Sequence, residues 1–192
     1  MLNHLHTNII ASIDLETTGT VPGYHEIVQI AVVPLGNNLE PVGTPFNRLI
    51  KPEFPDRADP KALEINGLGV EALADEPDGD KVSDLLDEWF TGLGCGGRII
   101  PLAHNYIFEH GFLNAWLGAK QFNRLFHYLP RDGMLLALSL KDKCALAGLP
   151  EPFNSVSLTN LCEVYGIVNE KPHDALADAI AEAKLYRALL GF

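Results

Sequence analysis

Carboxylates stand at three places in this chain where burial makes them costly. The stretch "SIDLETTG", residues 12–19, reads as the end of a strand. If the strand continues through Glu16, Asp14 and Glu16 project to one face, because side chains alternate, while Ile13 and Leu15 face the other way. Two unit charges about 4 Å apart repel by roughly 4 kcal/mol at an effective dielectric of 20, so something must compensate. The stretch "HNYIFEHGFL", residues 104–113, reads as the opening turns of an apolar helix. On a helical wheel starting at Asn105, Glu109 points to about 40°, on an arc shared with Phe108, Phe112, Leu113 and Trp116. Asn105 as N-cap puts Glu109 near the positive end of the helix, which softens the cost without removing it. In "KPHDALADAIAEAKLYRALL", residues 171–190, Asp178 lies about 40° from Asp174, beside Leu185 and Leu189. His173 stands just before that helix, on a loop.

Each stretch alone also fits an ordinary role: a strand ending in a polar turn, a buried salt bridge, a solvent-facing histidine. Together they supply four carboxylates from three segments. Hard cations that prefer oxygen ligands, Mg²⁺ or Mn²⁺, are the natural compensation. Two such ions about 3.5–4 Å apart can activate a water and stabilise a leaving oxygen in phosphodiester cleavage. A nearby histidine can take the water's proton. The residues therefore indicate a metal-dependent phosphoryl hydrolase, of which a nuclease is one kind.

The elements that must position these groups are legible in outline. Residues 8–14, 26–35 and 42–50 read as an antiparallel meander, with "GNN" at 36–38 as a turn and Pro45 marking an edge or interrupted strand. Residues 51–80 are rich in Pro, Asp and Gly, with one short helical piece at "DPKALEI". A helix is expected over 81–93, a buried strand over 98–104 running into the helix that carries Glu109, and helices near 133–146, 156–165 (capped by Ser155 or Ser157) and 174–190. Three strands followed by alternating strands and helices predict a mixed sheet flanked by helices, the layout of a ribonuclease H-like fold.

Length and composition set the bounds. The 192 residues, 47% hydrophobic, fit one domain over 1–192 with its own core. No apolar run is long enough to span a bilayer, and "MLNHLHTNIIASID" has no basic region, apolar stretch or cleavage site of a signal peptide. Cys95, Cys144 and Cys162 are isolated in sequence, which argues against a zinc site or disulfide framework and fits a reducing, cytoplasmic setting. A formal net charge of −11 argues against a protein that coats nucleic acid, though not against an enzyme gripping only a strand end. The stretch 71–88, with eight Asp/Glu against one Lys, lacks the ligand spacing of a calcium loop and reads as a solvated face.

The three motifs in order resemble those of the DEDDh 3′–5′ exonucleases, a family that includes the proofreading ε subunit of bacterial replicases, ribonuclease T and oligoribonuclease. "DLETTG" is similar to the family's first motif through Asp14 and Glu16, "HNYIFEHGFL" to its second, and "HDALAD" to its third through His173 and Asp178. "EIVQIAVV", "INGL" at 65–68 and "RDGMLLAL" resemble the intervening family segments, so the resemblance runs from about Ile9 to Leu190. The departure is Glu109, where the family has Asp: one methylene longer, with the same charge and oxygens.

The resemblance implies a five-stranded ribonuclease H-like mixed sheet, three antiparallel strands then parallel ones, flanked by helices. It implies an exonuclease releasing nucleoside 5′-monophosphates from 3′ ends, with two divalent cations, Mg²⁺ or Mn²⁺. Asp14, Glu16 and Asp178 are the expected metal ligands, Glu109 completes the site directly or through water, and His173 is the general base. Leu15, Thr17 and Thr18 are expected to line the terminal-nucleotide pocket, with Asn105 and Phe108 as further contacts. The rest of the strand is expected to cross a surface carrying Lys120, Arg124, Arg131, Lys141 and Lys143. The expected substrate is single-stranded DNA. The alternatives are an RNA-trimming exoribonuclease of the same family and a non-catalytic end-binding module weakened by Glu109. A DNA polymerase is a candidate partner, and no membrane is expected.

Overall fold

The computed structural model describes residues 5–191. Met1–His4, which open the stretch read as lacking a leader, and Phe192 lie outside the described residues. Five strands form one sheet: β1 (Ile9–Thr17), β2 (Ile27–Leu35), β3 (Phe46–Leu49), β4 (Ile99–Ala103) and β5 (Arg131–Asp132), in the order β3-β2-β1-β4-β5. β1 runs antiparallel to β2 and parallel to β4, β3 is antiparallel to β2, and β5 is parallel to β4. The helices are α1 (Pro60–Asn66), α2 (Gly79–Gly92), α3 (Tyr106–Leu125), α4 (Gly133–Leu146), α5 (Leu158–Tyr165) and α6 (Ala175–Leu189). The mixed, helix-flanked sheet is the one expected.

Alternation along β1 divides the core. Ala11, Ile13 and Leu15 point into a layer built with Val82 and Leu86 of α2 and Phe112 and Leu113 of α3. Ile10 points into the opposite layer, against Ala175, Ala179 and Ala183 of α6. These alanines recur every four residues, so α6 presents a stripe without bulk and lies close on the sheet. Asp14 and Glu16 share the face of Ile10. They therefore meet the helix that carries Asp178.

Local detail differs in four places. β3 begins only after Pro45, which has no N–H to give a ladder. β5 is two residues long, too short to leave a hydrophobic period, so the sequence alone marks only the helix after it. α3 continues to Leu125 across a break at Gly118, whose φ of 68° and ψ of 156° only glycine adopts readily. Asn105 occupies the N-cap position of α3 but with φ 82° and no side-chain cap; the Asp132 carboxylate accepts from the Tyr106 N–H at 2.8 Å instead. The acidic stretch 71–88 divides into turns over 71–76 and the first part of α2, capped by Asp78. Cys95, Cys144 and Cys162 are free thiols. Among the described residues no helix is long and apolar enough to cross a membrane.

Candidate active site

β1 does continue through Glu16, and its register slips only between Glu16 and Thr17. Asp14 and Glu16 thus leave the sheet on one side, near its end. Asp178 comes down onto them from the first turn of α6. One carboxylate oxygen from each of Asp14, Glu16 and Asp178 lies within 4.8 Å of the others.

The start of α6 is fastened on three sides. Asp174 caps it, accepting from the Ala177 N–H at 3.2 Å. Gln29, the β2 residue paired with Glu16, accepts from the Ala175 N–H at 3.2 Å through its side chain. Asn169 donates its side-chain amide to one Asp178 oxygen, and the His173 N–H donates to the other at 3.1 Å. His173 holds a left-handed backbone, φ 64°, that non-glycine residues seldom adopt. Its own side chain stays exposed on the cleft beside the carboxylates.

Glu109 arrives from the opposite layer, in the first turn of α3. It is 4% exposed and lines the same cleft, yet it stands outside the tight three-carboxylate group. Its Oε2 is buried without a hydrogen-bond partner among the described residues. Burial, opposed in part by a backbone hydrogen bond, and the charges of Asp132 and Glu182 push its carboxyl up to about 8. Burial together with Asp178 and Asp174 raises Glu16 to about 7. Asp14 is raised well above the carboxylate range by burial and then by the charges of Glu109, Asp178, Glu16 and Glu182. Burial also raises Asp178, against the pull of Asn169 and the His173 N–H. Four carboxyls that repel one another out of water need protons or a cation. An all-oxygen donor set with one buried oxygen left over fits a hard divalent cation, and Asp14, Glu16 and Asp178 are the residues able to hold it together.

The cleft over this cluster measures about 250 Å³. Leu15, Thr17 and Phe108 line it, joined by Gly19 and Thr20 and by Ala62, Ile65 and Asn66 of α1. Asn66 donates to the Thr17 carbonyl at 3.1 Å, and Gly67, φ 67°, ends α1, so the "INGL" segment forms one wall. Thr18 and Asn105 are not on that wall. Thr18 is fully buried, its hydroxyl accepting from the Glu26 N–H at 2.9 Å. Two of the basic residues expected along the strand path are paired already, Arg124 with Asp87 and Lys141 with Glu151. A larger cavity, about 720 Å³, lies apart from the carboxylates among Tyr24, Phe54, Arg57 and Trp116.

Gln29, Asn169 and the pair His104–Glu182 escaped the sequence reading, and Asn66 entered it only as part of "INGL". Each is an isolated polar residue whose partner lies elsewhere in the chain; only Glu182, four residues after Asp178 on the same helix, carries a local signal.

The family model described as Exonuclease matches residues 11–186. The chain belongs to this exonuclease family. That family is the DEDDh-type 3′–5′ exonucleases of the ribonuclease H-like superfamily. Among its relatives, DNA polymerase III subunit epsilon of Pasteurella multocida (strain Pm70) is 30% identical over 186 residues, 93% of this chain and 67% of the relative. The 3′-5′ DNA exonuclease Cap18 of Escherichia coli is 28% identical over 188 residues, 94% of this chain and 91% of that one. The crystal structure of E. coli exonuclease I in complex with a dT13 oligonucleotide superposes with a TM-score of 0.71 at 21% identity and shows the same fold. It is matched over 94% of this chain, which spans only 40% of the exonuclease I chain.

Proposed function

We propose that the chain is a divalent-metal-dependent exonuclease that removes nucleoside 5′-monophosphates from the 3′ end of single-stranded DNA, with residues 1–192 acting as one exonuclease domain. The observation that carries this reading is the meeting of Asp14, Glu16 and Asp178 within 4.8 Å, with His173 on the same cleft. Asp14, Glu16 and Asp178 would hold Mg²⁺ or Mn²⁺, and Glu109 would complete the site from the opposite wall. When bound, the cations supply charge that offsets the negative charge developing on the phosphate. His173 accepts a proton from the attacking water. The new bond forms between water oxygen and phosphorus, the bond from phosphorus to the 3′ oxygen breaks, and that oxygen leaves and is protonated from solvent. Leu15, Thr17 and Phe108 hold the terminal nucleotide, with Ala62, Ile65 and Asn66 across from them.

The DNA assignment is supported by the names of the ε subunit and Cap18 and by the oligonucleotide bound to exonuclease I. A polymerase as partner rests on the ε name alone. The test is a cleavage assay on 3′-labelled single-stranded DNA and RNA with Mg²⁺ and then Mn²⁺. Release of 5′-monophosphates from DNA is expected. Preference for RNA would assign the chain to RNA trimming. No cleavage of either substrate in either metal would overturn the enzyme reading. Changing His173 to Ala should lower kcat by about 10²-fold or more while metal affinity stays within about twofold, as expected for a lost proton acceptor.

A further inference from the structure

His104 closes β4 at the corner where α3 begins, and its ring reaches across to α6. Nε2 lies 2.7 Å from the Val156 carbonyl, and Nδ1 lies 3.1 Å from Oε2 of Glu182. Glu182 is 2% exposed. A carbonyl only accepts, so Nε2 carries a hydrogen. One further proton then lies between Nδ1 and Oε2, as an imidazolium facing a carboxylate or as a carboxylic acid donating to a neutral ring. The pair is net neutral in either form, which is what a group of this burial requires. The other oxygen, Oε1, faces Gly133 at the start of α4, and a Cβ on Gly133 would overlap it. Gly133 has no left-handed φ, so its missing side chain serves space rather than backbone conformation.

Three elements therefore meet at this one pair. On α6, Glu182 lies one turn beyond Asp178. At the corner, His104 lies five residues before Glu109. Glu109 and Asp178 thus ride on α3 and α6, helices of opposite layers, with Asp14 and Glu16 on β1 of the sheet between them. We propose that His104 and Glu182, seated against Gly133, are positioning residues that fix α6 relative to the β4–α3 corner and so set Glu109 against the Asp14–Glu16–Asp178 group. The pair touches no substrate. It acts through the acids on either side. This inference rests on the reading of those acids as a divalent-cation site.

The experiment measures Mn²⁺ affinity from the rise in Tm with Mn²⁺, together with kcat and KM on an oligonucleotide, the kinetics taken well below the variant's own Tm. Glu182→Gln keeps the volume and can donate to a neutral His104, so its Mn²⁺ affinity should stay within about threefold of the starting protein. Glu182→Ala and His104→Ala should each weaken Mn²⁺ binding by about tenfold or more and lower kcat while KM stays within about threefold. Gly133→Ala, which displaces the carboxylate without removing it, should reproduce that loss, and Gly133→Ala combined with Glu182→Ala should be no worse than Glu182→Ala alone. Alanine variants that fold and keep the original Mn²⁺ affinity would overturn the inference, as would a Glu182→Gln variant that falls as far as Glu182→Ala. If the alanine variants do not fold, Gly133→Ala decides by itself, and unchanged Mn²⁺ affinity there is equally fatal. An unsubstituted protein that neither binds Mn²⁺ nor cleaves indicts the functional reading instead, so the two failures are distinct.

Discussion

At the scale of single residues, Glu109 separates charge from reach. Its extra methylene does not bring it into the tight group of Asp14, Glu16 and Asp178; it stays on the cleft wall with one buried oxygen unpaired. Its charge is nonetheless the leading charge among those acting on Asp14. With Glu109 outside the tight group, loss of its charge should cost more than loss of its length. Glu109→Asp removes one buried methylene and should cost about 1 kcal/mol of stability, near 2–4 °C in Tm, with activity held within about tenfold. Glu109→Gln keeps the length and loses the charge, and its kcat should fall by a further factor of about ten or more. Measured kcat at saturating Mn²⁺ ranks the two. A fully active Glu109→Gln would show that the charge has no part in the reaction.

At the scale of elements, the site depends on how closely α6 lies on β1 and β2. Ala175, Ala179 and Ala183 are fully buried under it. Ala179→Leu forces extra atoms into that seam next to Asp178 and should cost about 1–3 kcal/mol, with Tm falling by roughly 3–10 °C. Mn²⁺ affinity should fall with it, whereas Lys184→Leu, on the exposed side of α6, should leave both unchanged. An Ala179→Leu variant that loses stability but binds Mn²⁺ normally would show that Asp178 does not depend on this seam. The elements also mark what the sequence could tell. Asp14 and Glu16 were legible because strand alternation is a local rule, and Asp178 because helical spacing is another. Gln29 was not, since its partners at the head of α6 lie about 145 positions away. His104 and Glu182 stand 78 positions apart, and the cap of α3 comes from Asp132 rather than its neighbour Asn105. Local periodicity placed the acids, and the contacts of Asn169, His173 and Asp174 at the head of α6 are local too; the contacts from Gln29, His104 and Asp132 that set the elements against one another are tertiary, and periodicity does not report them.

At the scale of the whole molecule, a chain of net charge −11 gathers four mutually repelling carboxyls in one place, three of them buried, so its stability must depend on what neutralises them. In an unfolded chain a glutamate ionises near about 4.3. In the fold Glu16 ionises at about 7 and Glu109 at about 8. Between those limits the folded protein holds more protons than the unfolded chain, and the raised Asp14 and Asp178 act in the same direction, so stability falls as pH rises. His104 acts in the same direction: burial would lower it, but the bond to Glu182 leaves it raised, so its contribution also fades with rising pH. Asp174 works the other way. Burial pushes it up and Lys171 pulls it below its usual range, which places its effect at more acidic pH, outside this window. In EDTA, Tm should therefore decline from about pH 5 to about pH 8, by several degrees if roughly 1–3 kcal/mol is lost. Mg²⁺ or Mn²⁺ at pH 8 should reverse that decline, because the cation binds the ionised cluster of the folded state. Glu109→Gln, whose amide does not titrate, should flatten the upper part of the decline and be more stable than the unsubstituted protein at pH 8 without metal. A metal-free Tm that holds steady or climbs across this window would mean that burial does not destabilise the ionised carboxyls, and the case for a cation in the cleft would lose its physical basis.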